Sequence, residues 1–338
     1  MHMTTYVFCN FTTTETTPMQ LQMKGLVTKN AGNRYEVVAD SGEIYHCNVK
    51  GNFRLKGIRT TNPVAVGDRV DFVPSDRDGQ PGYITAIAPR SNYIIRRASN
   101  LSKEAHILAA NIDQMALIVT LAYPTTSLTF IDRILATAEA YGVKAILVIN
   151  KTDLLDSTDD RQLLDAVSYL YDSIGYKVIS VSAKTGDGIG ALKEMLGGMT
   201  TLLSGNSGVG KSTIINEILP AAKQKTAEIS IVHNTGMHTT TFSEMFALSA
   251  EMGGGFIIDT PGVKGFGTID FDKTEISHYF PEIFRASADC RYGNCTHTHE
   301  PGCNVRHMIE DNLIAQSRYN SYLSILEDSA DDKYRKPF

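Results

Sequence analysis

The residues that could do chemistry begin at Gly205-Asn206-Ser207-Gly208-Val209-Gly210-Lys211-Ser212, which fits the phosphate-cradling spacing G-x-x-x-x-G-K-S/T. Glycines at these offsets let successive backbone N–H groups turn inward on an anion, and a helix start behind them adds partial positive charge. Lys211 is then placed to reach the β- and γ-phosphates of a nucleoside triphosphate and Ser212 to ligate its Mg²⁺, with Thr213 beside them in the same nucleotide site. The flanking elements are the ones this chemistry needs. The apolar run from Met199 to Leu203 predicts a buried strand, and Thr213 to Leu219 has helical spacing, stopped by Pro220.

The base is named upstream. Asn150-Lys151-Thr152-Asp153 closes the apolar strand Ala145 to Ile149 and matches the guanine-reading pattern N-K-x-D. A carboxylate at Asp153 can accept from both the N1–H and the amino group of guanine, a pair of donors that adenine does not offer. Ser182-Ala183-Lys184 follows the strand Val178 to Val181 and has the makeup of a loop that backs the guanine ring. Downstream, Phe256 to Ile258 leads into Asp259-Thr260-Pro261-Gly262, the D-x-x-G pattern, where Asp259 would hold Mg²⁺ through water and the Gly262 amide would face the γ-phosphate. Four motifs at four predicted strand ends imply GTP hydrolysis. Their order is that of a circularly permuted domain, because the guanine motifs precede the phosphate loop. The chemistry depends only on where strand ends lie in space, so a doubly wound α/β fold with a mostly parallel sheet is expected.

Two further clusters carry chemistry. Cys290-x₄-Cys295-x-His297-x₅-Cys303 supplies three thiolates and an imidazole, a closed tetrahedral set suited to structural Zn²⁺; His299 and His307 are expected outside it. Between the phosphate loop and Asp259, about Ala221 to Ser243 reads as a long switch segment. One threonine of Thr239-Thr240-Thr241 should complete the Mg²⁺ shell, and Thr240 is the choice here. The glutamine that usually orients the attacking water after D-x-x-G is replaced by Val263, which can neither donate nor accept; His238 is the nearest candidate for that role.

On the permuted order, Gly236-Met237-His238-Thr239-Thr240-Thr241 and the Cys290 to Cys303 knuckle, the sequence resembles the circularly permuted GTPases called ribosome small subunit-dependent GTPase A. The resemblance runs from about Met23 to the last helices. It implies Mg²⁺-dependent hydrolysis of GTP, catalysed with Lys211 and His238, structural zinc, the 30S subunit and its 16S rRNA as partners, and release on hydrolysis late in subunit assembly. Two other classes stay open: an RNA-binding scaffold that holds GTP without turning it over, and an ATP-dependent kinase or ATPase, against which Asp153 argues.

Composition sets the frame. The 338 residues allow two or three domains, and five cysteines are too few for a disulfide framework. No apolar run reaches the ~18 residues of a membrane span and no secretory signal opens the chain, so a cytoplasmic monomer is expected. A Thr-rich extension at 1–22, expected to be disordered, precedes an RNA-binding barrel of OB type at 23–97, the permuted GTPase domain at 98–270 and a zinc-binding helical module at 271–338. The net charge of −5 does not suggest nucleic acid, but Lys24 to Glu104 holds thirteen Lys/Arg against eight Asp/Glu, 13 − 8 = +5. That excess marks the barrel as the RNA face, with Arg54, Lys56, Arg59, Arg90, Arg96 and Arg97 as candidates. His46 and Cys47 are read as packing residues.

Overall fold

The structure is a computed structural model that describes residues 22–49, 63–75, 77, 79–97, 105–220, 243–259 and 272–331. Five strands with alternating burial open the chain: β1 (Met23–Ala31), β2 (Arg34–Ala39), β3 (Ile44–Val49), β4 (Arg69–Val73) and β5 (Gly82–Ile87). They pair in the order β1-β2-β3-β5-β4, and β4 returns to β1, so the sheet closes; only β3 and β5 run parallel. This is the five-stranded Greek-key closure of an OB barrel. Val27, Tyr35, Val37, Cys47, Val70, Phe72 and Ile84 fill its interior. Cys47 is therefore a packing residue, whereas His46 points to the exposed side of β3.

Arg90 corrects one expectation. It does not face solvent for RNA: its side chain is 9% exposed and grips the fully buried Asp68, Nε and Nη2 each donating at 2.6 Å. A carboxylate at 0% exposure needs a counter-charge, and Arg90 supplies it. Arg54, Lys56 and Arg59 lie outside the described residues. The stretch after the barrel forms a hairpin of β6 (Tyr93–Arg97) and β7 (Ala105–Ala110).

Strands and helices then alternate: β8 (Gln114–Val119), α1 (Leu128–Ala140), β9 (Lys144–Ile149), α2 (Thr158–Ile174), β10 (Lys177–Ser180), α3 (Ile189–Leu196), β11 (Thr200–Ser204), α4 (Lys211–Ile218), β12 (Glu244–Ala247) and β13 (Phe256–Asp259). The sheet order is β10-β9-β8-β11-β13-β12, parallel except for β12. Every residue of β8 is buried because helices cover both faces. Met115, Leu117 and Val119 pack toward α1 and α2; Ala116 and Ile118 pack toward α3 and α4. Winding reverses between β8 and β11, the place where doubly wound sheets leave a crevice for ligands. β12 also pairs with β1 at Glu244 and Lys29, so barrel and α/β sheet are continuous.

Among the described residues three α-helices follow: α5 (Pro281–Ser287), α6 (Asn304–Glu310) and α7 (Gln316–Asp331). Their core of Ile276, Phe280, Ile283, Val305, Ile314, Tyr322 and Ile325 closes against Ala136 of α1. Arg318 of α7 is 1% exposed in its side chain and pairs with Asp132 of α1 at 2.8 Å and Glu282 of α5 at 2.7 Å, and Tyr171 donates to the same Asp132 at 2.8 Å. Arg318→Ala would leave two carboxylates without their cation. It is expected to cost roughly 3–5 kcal/mol of stability, the usual size for breaking a buried pair from one side. An unfolding midpoint in urea equal to the unmodified chain's would contradict this. Among the described residues no helix is long and apolar enough to cross a membrane.

Candidate nucleotide site and metal knuckle

Four loops meet at the carboxyl ends of β8, β9, β10 and β11. Asn150 ties three of them together: its Nδ2 donates to the Val209 carbonyl at 2.8 Å, and its Oδ1 accepts from the Ala183 N–H at 3.1 Å. An asparagine is needed because it donates and accepts at once from a buried position. Gly210 has φ 95° and lies against the Asn150 amide, where a Cβ would collide, so the last glycine of the phosphate loop is fixed by both backbone and neighbour.

Asp153 sits in a 3₁₀ turn, Thr152–Leu154, just past β9. Ser182 Oγ donates to its Oδ1 at 2.7 Å, and Lys184 Nζ lies 3.7 Å from its Oδ2. The carboxylate is thus aimed before any base arrives. Lys151 adopts a left-handed backbone, φ 66°, and its Nζ donates to the Tyr123 carbonyl at 2.6 Å. Sequence reasoning missed that contact. Tyr123-Pro124 lies between β8 and α1, the Pro124 ring sits beside Gly208, and no spacing rule links this loop to the site.

Lys211 folds back on the phosphate loop, Nζ donating to the carbonyls of Gly205 and Asn206 at 2.7 Å each. Burial lowers its pKa and nearby Asp259 raises it. Asp259 is shifted the other way: burial raises the carboxyl, Lys211 lowers it and Glu244 raises it further. A desolvated carboxylate short of positive charge, next to a loop that would hold phosphates, fits a divalent cation. Ser212 and Thr213 are exposed in the first turn of α4, and Ser207 and Gly208 are exposed at the loop's tip. His238, Thr240 and Gly262 lie outside the described residues, as does Val263.

The second cluster gathers the ligand atoms of Cys290, Cys295, His297 and Cys303 within 4.8 Å of one another. His297 Nδ1 stands 3.7 Å from Cys290 Sγ and 3.5 Å from Cys303 Sγ. A tetrahedral zinc with bonds of about 2.0–2.3 Å sets its ligands about 3.5–3.8 Å apart, so the donors fit that ion. Burial pushes the Cys295 thiol up to about 12. The knuckle is held from outside: Glu300 accepts from the N–H groups of Thr296, Thr298 and His299, while Tyr319 and Tyr322 of α7 donate to the carbonyls of His297 and Thr296. His299 and His307 are exposed and take no place among the four donors.

Comparison with known proteins agrees with this geometry. The family model described as RsgA GTPase matches residues 87–269, and that described as RsgA N-terminal domain matches 24–84. The chain is 60% identical over 316 residues to the small ribosomal subunit biogenesis GTPase RsgA 2 of Bacteroides thetaiotaomicron, covering 94% of this chain and 100% of that one. It is 48% identical to the RsgA of Christiangramia forsetii, covering 93% and 100%. Among solved structures, YjeQ from Thermotoga maritima superposes with a TM-score of 0.71 at 32% identity, covering 92% of this chain and 99% of that one. YloQ, described as a circularly permuted GTPase, gives 0.68 at 27% identity, covering 94% and 97%. A permuted guanine-nucleotide site between a closed barrel and a cysteine-histidine knuckle, matched over nearly its whole length, places the chain in the RsgA family of circularly permuted GTPases.

Proposed function

We propose that the chain hydrolyses GTP to GDP and phosphate during late maturation of the 30S ribosomal subunit, binds 16S rRNA there, and leaves on hydrolysis. One observation carries the reading: Asp153, aimed by Ser182 and Lys184, and the phosphate loop, tied to it through Asn150, form one site. The name borne by relatives of this identity supplies the setting. Asp153 selects guanine, with Asn150, Lys151 and Thr152 on its strand end and Ser182, Ala183 and Lys184 behind the ring. The amides from Gly205 to Ser212 take the β-phosphate, and Lys211 leaves its two carbonyls for the β- and γ-oxygens.

Ser212 and Thr240 would hold Mg²⁺ directly and Asp259 through water. When bound, that ion neutralises charge on the phosphate oxygens. Gly262 offers an amide to the γ-phosphate, and His238 orients the attacking water. Cys290, Cys295, His297 and Cys303 would hold zinc in a closed, structural shell. The barrel's excess of positive charge suits rRNA, and the protein acts as a cytoplasmic monomer whose working units are 23–97, 98–270 and 271–338.

The test is single-turnover GTP hydrolysis with and without saturating purified small subunits. Turnover alone should be slow, and subunits should raise it. His238→Ala should keep GTP affinity yet lose roughly 10²–10⁴-fold of the stimulated rate if the imidazole does proton work. Rates within about threefold of each other, roughly 0.65 kcal/mol of barrier, remove His238 from the mechanism. No response to subunits removes the proposed setting.

A further inference from the structure

Glu244 stands directly opposite Asp259 in the antiparallel pairing of β12 with β13, so the two carboxylates share a face of the sheet. Ile257, two residues before Asp259, packs in the core beneath α4, so this face is the one that carries Lys211. Like charges opposed across a strand pair are unfavourable. The structure balances this pair from the other side. Lys29 of the barrel is paired with Glu244 in register, and its Nζ donates to Glu244 at 3.0 Å. Next in the row comes Glu36 of β2, whose carboxylate accepts from Thr28 at 3.2 Å. Lys29 also lines a cleft of about 850 Å³ on the barrel, together with Arg34, Arg77, His46 and the same Glu36, so cations outnumber carboxylates there. One ammonium thus belongs both to a cationic cleft and to a charge row that ends at the nucleotide site.

We propose that Glu244 is a positioning residue for the divalent cation at Asp259, and that Lys29 sets its strength from the barrel side. With Lys29 in place, the charge of Glu244 is partly offset. When an anion in the cleft draws Lys29 away, the field of Glu244 adds to that of Asp259 and the cation binds more tightly. Linkage makes the effect reciprocal: a cation at Asp259 repels Lys29 and releases it to the cleft. The inference rests on the reading of Asp259 as the residue that holds Mg²⁺.

The experiment measures the Mg²⁺ concentration at half-maximal binding of a fluorescent, non-hydrolysable GTP analogue to the full chain. Lys29→Met should lower that midpoint and Glu244→Gln should raise it, each by about three- to tenfold, the scale implied by a unit charge one strand spacing away in a half-exposed setting. Lys29→Arg should match the unmodified chain, and Lys29→Met should add little once Glu244 is Gln. Asp259→Asn separates the two layers. If it shifts the midpoint while Lys29→Met and Glu244→Gln do not, the inference is wrong and the reading of Asp259 stands; if it shifts nothing, the reading itself fails. A short oligouridylate serves as the cleft probe and should lower the midpoint of the unmodified chain but not of Lys29→Met. Equal shifts in both, or none in either, overturn the barrel's part in the device.

Discussion

A chain carrying Asp153→Asn is expected to lose GTP affinity by roughly 10²–10⁴-fold and to bind xanthosine triphosphate in its place. The size follows from two hydrogen bonds to a charged acceptor, each worth about 1.5–3 kcal/mol. The direction follows from the geometry. Ser182 Oγ donates to one oxygen of the carboxylate and Lys184 Nζ lies 3.7 Å from the other, which orients the group before the base arrives. An amide in that orientation turns a donor toward the base edge, where guanine also presents donors and xanthine presents a carbonyl. Phosphate binding is unaffected, because Lys211 and the loop amides do not touch Asp153. Competition among GTP, XTP and ATP for one labelled nucleotide is the measurement. Unchanged GTP affinity in the variant would remove Asp153 from the base pocket.

That site was legible in the sequence because its chemistry is local. Each motif occupies a few consecutive residues at the end of an apolar run, and a parallel strand buried on both faces cannot be mistaken for its loop. The permutation was legible for the same reason, since motif order is read directly. What escaped depends on pairs far apart in the chain. Arg318 meets Asp132 across 186 residues, and no period or spacing joins them. Arg90 read as a solvent-facing cation only because a charge tally cannot see that it is buried against Asp68. β12 is four residues long and supplies one register pair to the barrel, too short a signal to predict, yet among the described residues it is the strand pairing that joins the two sheets. Tyr123 contributes a backbone carbonyl to Lys151, and backbone atoms leave no mark on sequence.

The cysteine-histidine knuckle shows how far local spacing reaches, and emptying it of the proposed metal is expected to have the largest effect on stability. Cys295→Ala, or a chelator on the unmodified chain, should take the metal content from one ion to nearly none and unfold much of residues 272–331. Two of the three helices there, α5 and α6, are seven residues each, too short to persist alone. Cys303 and Val305 are buried in the same cluster as Tyr322, whose hydroxyl also donates to Thr296 in the knuckle at 2.8 Å. Opening the knuckle therefore releases the helices' core with it. Structural zinc binding is worth about 10–16 kcal/mol near neutral pH in isolated fingers, well above the few kcal/mol that the Arg318 network offers in compensation. Metal uptake also displaces thiol protons, so the apparent zinc affinity should weaken as pH falls. The nucleotide site lies on other elements, joined to this module through α1, so GTP binding should remain measurable after the module opens. Calorimetry should then show one transition splitting into two, with the lower one gained by chelation. A single transition at an unchanged temperature, in protein proven free of metal, would show that packing against α1 holds the module without zinc.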